Sequence, residues 1–113
     1  MSDTQDRVES IAREVVAANA QRVDAEGVFP EESMNALREA GLFGLISAKG
    51  VGGEGEGHLA AARVVERLGR ECASTAMITC MHYCGTWVIE NHGAEDVRRE
   101  IAAGRHLTTF KHV

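Results

Sequence analysis

The sequence is poor in what a β domain is built from. It has a single proline, and few long stretches in which β-branched and polar residues alternate. Both features favour helix over sheet. It also lacks any cluster of basic residues; its 12 Lys and Arg are scattered along the chain. That argues against a nucleic-acid surface. The net charge of −5 mainly suits solubility. No stretch reads as a membrane span, because the most apolar one is short and mixed with Thr, His, Glu and Asn. The start, MSDTQDRVES, is acidic and polar, unlike a secretory signal or an organelle transit peptide. Three cysteines leave one over from any intrachain pairing, so buried reduced thiols in a cytoplasmic protein are expected. Repeats and low-complexity linkers are missing too, and 113 residues suffice for one core.

What is present is organised around residues 72–93, CASTAMITCMHYCGTWVIENHG. This stretch holds all three cysteines, two of the four methionines, and the lone tryptophan and tyrosine. Apolar residues fall on nearly every side of it, the pattern of a helix packed all round in a core. The other helical segments are one-sided. Val8, Ile11, Ala12, Val15 and Asn19 mark an inner face over residues 5–22, fading at Asp24. Phe29-Pro30-Glu31-Glu32 is a helix start, since proline and carboxylates suit the first turn. Met34, Leu37 and Ala40 follow inward, and Gly41 provides the stop.

Leu42 to Ile46 is an apolar run expected to be buried in extended or irregular form. After it comes SAKGVGGEGEG, with five glycines in eleven positions. It has neither dinucleotide nor P-loop spacing and reads as a turn between helices. Helix resumes near His58, with Ala61, Val64, Val65, Leu68 and Cys72 inward; Ser74 is the expected cap of the central helix. A last helix covers Glu95 to Ala103, ending at Gly104. Leu107, Thr109 and Val113 then alternate in a strand-like tail. The expected fold is all-α, about five helices around a central apolar one.

Two constellations on the central helix invite a chemical reading. Cys80 and Cys84 lie one turn apart on one face, with His82, His92 and Cys72 near in sequence. A structural metal site needs four converging ligands, and His82 points away from the cysteine face, so structural thiols are the expectation. Thr79, His82, Tyr83, Thr86 and Glu90 form a polar strip. It is either satisfied by neighbouring helices or lines a ligand cavity. No nucleophile–base–orienter set surrounds His82.

A resemblance adds to this. Phe29-Pro30, Leu37-Arg38-Glu39-Ala40-Gly41-Leu42-Phe43-Gly44, Gly52-Gly53-Glu54-Gly55, Val65-Glu66-Arg67-Leu68-Gly69-Arg70 and Cys72-Ala73-Ser74 occur in the order found in one family. Met81-His82, Gly93 and Ile101-Ala102-Ala103-Gly104 continue the pattern. The chain resembles the N-terminal helical domain of the acyl-CoA dehydrogenases. The resemblance implies that residues 1–105 are that domain and residues 106–113 begin a middle β domain. It implies FAD, middle and C-terminal domains and homo-oligomerisation in a complete enzyme. It also implies that Cys80, Met81 and Cys84, with His82 or Tyr83 close by, touch the acyl chain of an acyl-CoA substrate. The family's glutamate base and flavin-contacting Thr-Glu-Pro segment are not among these residues. A fragment without a catalytic residue, metal or bound flavin is therefore expected. Ala48-Lys49-Gly50-Val51 replace the usual Pro-Glu and aromatic, and the pocket stripe is rich in His, Tyr and Cys. A related flavin-dependent monooxygenase and a non-catalytic helical interaction module are the alternative readings.

Overall fold

The computed structural model describes residues 3–108, and every regular element among them is helical. Helix α1 (Asp3–Ile11), a π-helical turn (Ala12–Val16) and α2 (Ala17–Glu26) follow one another as one rod. Val8, Ala12, Val16 and Val23 are its buried residues, with Val16 rather than Val15 facing the core. The π turn explains the difference. It carries more residues per turn, so the four-residue spacing of 8, 12 and 16 stays on one side. The rod also runs past Asp24 and stops at Gly27, whose φ of 64° suits a residue without Cβ.

Helix α3 (Glu31–Glu39) starts behind Pro30, whose carbonyl accepts the Met34 N–H at 3.0 Å. It ends as expected at a left-handed Gly41. The apolar run that follows is not extended. Leu42–Gly44 form a 3-10 turn that sinks Leu42, Phe43 and Leu45 fully into the core. Helices α4 (His58–Gly69), α5 (Ala73–His92) and α6 (Glu95–Ala102) complete the bundle, and α4 and α5 pack most extensively against each other. Cys72, not Ser74, occupies the cap position of α5, and no side chain caps that end.

Arg7 ties three elements together. Its guanidinium donates to both carboxylate oxygens of Glu54, at 2.7 and 2.9 Å, and to the Ala40 carbonyl at the end of α3. A bidentate, partly buried pair of this kind is stronger than an exposed one. Arg7→Met is expected to lower the unfolding free energy by about 2 kcal/mol. Urea denaturation of the variant beside the parent protein checks this.

The described residues thus form five helical bodies, counting residues 3–26 as one, and contain no strand. The expected strand-like tail is corrected accordingly. Residues 106–108 have no regular structure, while Thr109 and Val113 lie outside the described residues. A strand needs a neighbouring backbone for its N–H and C=O groups. Here the Thr108 N–H donates instead to the His82 imidazole, at 3.1 Å.

A second correction concerns α5. It is not packed all round: Met77 is 63% exposed, Trp87 50%, and Cys84 is exposed as well. Its buried residues are Thr75, Ala76, Thr79, His82, Tyr83, Gly85 and Thr86, so most of its polar side faces inward while Met77 and Trp87 face outward.

Candidate functional site

The inward stripe of α5 is chemically quiet. The Thr79 hydroxyl donates to the Thr75 carbonyl at 2.8 Å, and the Thr86 hydroxyl to the His82 carbonyl at 2.7 Å. Both are satisfied within their own helix. His82 is completely buried. Its Nδ1 accepts the Thr108 N–H, which places the ring proton on Nε2, and Nε2–H donates to the Phe43 carbonyl at 2.9 Å. Burial, the dominant effect, holds its pKa below the usual histidine value, and the charge of His106 adds to that; the bond to Phe43 opposes it. Tyr83 donates its hydroxyl to the Leu42 carbonyl at 2.7 Å, and burial raises its pKa. Two carbonyls of the 3-10 turn are therefore clamped by consecutive side chains of α5. Glu90, at the far end of the strip, pairs with Arg98 of α6 at 2.9 Å.

The opposite side of α5 forms an open groove with α4, of about 590 Å³. Cys80, Tyr83, Cys84, Trp87 and Val88 line one wall, and His58, Ala61, Ala62, Val65 and Glu66 the other. The wall is overwhelmingly apolar because α4 presents small alanines there while α5 presents its thiols and rings. His58 lies against Trp87, with ring centroids 5.7 Å apart.

Of the five residues expected from the sequence, Cys80, Tyr83 and Cys84 meet at this groove. Met81 is not among its lining residues, and His82 is held in the core. Trp87, Ala61, Ala62 and Val65 were missed as lining residues. The run Ala60-Ala61-Ala62, which leaves room for a neighbour, was the available signal. The cysteines are all free, but only Cys72 is buried; Cys80 is half-buried and Cys84 exposed, against the expectation of buried thiols.

The glycine-rich loop offers no anion cradle. Most of its amides are spent internally: Gly52, Gly53 and Gly55 donate to Lys49, Ala48 and Ser47 carbonyls, and Glu54 and Glu56 to those of Gly44 and Leu45. Its folding is tight, since a Cβ on Gly53 would lie 2.2 Å from the Ser47 carbonyl oxygen. Among the described residues, no group of three or more His, Cys, Asp or Glu side chains could hold a metal. No described helix is long and apolar enough to cross a membrane.

The described residues form an all-α bundle with an open apolar groove between α4 and α5. Residues 2–104 match the family model described as acyl-CoA dehydrogenase, N-terminal domain, and the chain belongs to the acyl-CoA dehydrogenase family. A probable acyl-CoA dehydrogenase of Mycobacterium leprae is 29% identical over 94 residues, covering 83% of this chain and 24% of that protein. The cyclohex-1-ene-1-carbonyl-CoA dehydrogenase of Geobacter metallireducens is 30% identical over 107 residues, covering 95% and 27%. The 3-sulfinopropanoyl-CoA desulfinase of Variovorax paradoxus is 34% identical over 77 residues, covering 68% and 19%. The chain thus spans about a quarter of the length of such relatives. No solved structure matches it.

Proposed function

We propose that this chain is the acyl-binding N-terminal portion of an FAD-dependent enzyme that dehydrogenates an acyl-CoA thioester. The observation that carries the reading is the α4–α5 groove, an open apolar channel in a chain of this family. An acyl tail is held by removing its methylenes from water, about 0.8 kcal/mol for each one buried. Cys80, Cys84, Trp87, Val65 and Ala61 provide soft and apolar contacts for that purpose, while Tyr83, anchored to Leu42, fixes the depth of the wall.

The described residues do not fit a flavin. Most of the glycine-loop amides are already used, and the groove has little polarity with which to grip a diphosphate or an isoalloxazine ring. Flavin and the base that removes the substrate proton accordingly belong to middle and C-terminal domains, in a homo-oligomeric cytoplasmic enzyme. Residues 1–105 act as the helical domain, and residues 106–113 lead from it towards the middle domain. This chain's share of the work is to bind and orient the acyl tail.

Trp87 is a built-in reporter. A medium-chain acyl-CoA is expected to change its emission at roughly millimolar concentration, because a groove open on one side binds weakly. Free CoA is expected to leave it unchanged, and Ala61→Trp, which fills the groove, to abolish the acyl-dependent response. No acyl-dependent change, or an equal change with free CoA, would overturn the proposal.

A further inference from the structure

The groove contains a feature that acyl binding does not require. Cys80 and Cys84 are one turn apart on the same face of α5, both line the groove, and both are free thiols. Cys84 is exposed and Cys80 half-buried behind it, so the pair can be reached from the groove mouth. The thiols also sense each other: burial, the neighbouring Cys84 charge and a hydrogen bond to Cys84 all raise the pKa of Cys80.

Helix geometry limits what such a pair can do. Residues four apart on a helix hold their Cβ atoms about 6 Å apart. A disulfide needs about 3.8 Å, so direct oxidation to a disulfide would require α5 to unwind. A single ion between the sulfurs replaces one S–S bond of about 2.0 Å with two metal–sulfur bonds, each about 2.3 Å in the zinc case. That difference spans the gap without disturbing the helix. The number of ligands then selects the ion. A structural zinc site takes four ligands, and the described residues offer no group of three. Soft monovalent copper favours thiolates. An apolar wall of Val65, Val88 and Trp87 disfavours hard, strongly hydrated cations, while the exposure of Cys84 keeps the singly negative bis-thiolate copper unit in reach of water.

We infer that Cys80 and Cys84 form a two-coordinate site for a soft thiophilic cation of the Cu(I) class, set into the wall of the α4–α5 groove. Each thiol releases its proton to solvent as its sulfur bonds the ion, and no electron is transferred. The bound ion narrows the groove beside Trp87, on the wall that Cys80 and Cys84 also present to an acyl tail, so ion and tail oppose each other's binding.

The test is transfer of Cu(I) from its bicinchoninate complex to the reduced 113-residue chain. One Cu(I) per chain is expected, with X-ray absorption showing two sulfur neighbours. Cys84→Ser and Cys80→Ser are each expected to weaken uptake at least about 100-fold, and Cys72→Ser to retain it. Cys84 is exposed, so its serine variant keeps the fold, and circular dichroism verifies this. No uptake by the parent chain, undiminished uptake by Cys84→Ser, or a coordination number of three or four would overturn the inference.

Discussion

Replacing His82 by Leu is expected to cost about 3 kcal/mol of unfolding free energy, although no charge is removed. The ring is wholly buried and uses both nitrogens. Leucine fills a similar space but leaves the Phe43 carbonyl and the Thr108 N–H without their partner. Unsatisfied buried groups are what make such a change expensive. His82→Gln, which can still reach one of the two groups, is expected to lose less. A urea series on the three proteins measures this ordering. The same residue contributes a pH dependence. Its folded pKa lies below the unfolded value of about 6.5. The unfolded chain therefore binds the proton more readily. His82 gives its full stability above about pH 6.5, and this is lost as pH falls from there through the folded value. His82→Leu is expected to flatten that part of the pH–stability curve.

Gly44→Ala is expected to destabilise by a comparable amount, about 3 kcal/mol. A Cβ at this position would sit 2.5 Å from the Ala102 carbonyl oxygen and 3.2 Å from its carbonyl carbon and Cα. The obstacle is backbone of α6, which cannot swing aside as a side chain can. The 3-10 turn carrying Phe43 would have to part from α6, exposing fully buried side chains. Gly50→Ala is the control, because a Cβ there meets nothing within 4 Å. It is expected to change stability by less than about 0.5 kcal/mol. Thermal or urea unfolding of both variants distinguishes the close approach from a general effect of losing a glycine.

Much of the helical plan was legible because local chemistry decides it. Pro30 with two following glutamates, Gly41 and Gly104 mark boundaries that the chain observes. Three things were less accessible. The π turn at Ala12–Val16 shifts an inner face by one residue, and a period of 3.6 cannot anticipate it. The tail reads as a strand because alternation is a local pattern, whereas the hydrogen bond that settles Thr108 comes from His82, 26 residues earlier. The orientation of α5 is the most instructive case. With apolar residues on most sides, its sequence cannot say which side turns inward. That choice follows from tertiary bonds: His82 and Tyr83 take the Phe43 and Leu42 carbonyls, and threonines beside them bond back to their own helix. The groove was therefore legible as a cluster around Cys80, Tyr83 and Cys84, while its α4 wall was signalled only by the run Ala60-Ala61-Ala62.

Timed labelling of the three thiols in the native chain, read by peptide mass, bears most directly on that orientation. Cys84 is expected to react first, Cys80 more slowly, and Cys72 only as the whole domain unfolds, in keeping with their exposed, half-buried and buried settings. Simultaneous labelling of Cys84 and Cys72, or protection of Cys84 until global unfolding, would mean that α5 is turned the other way and that the groove does not exist.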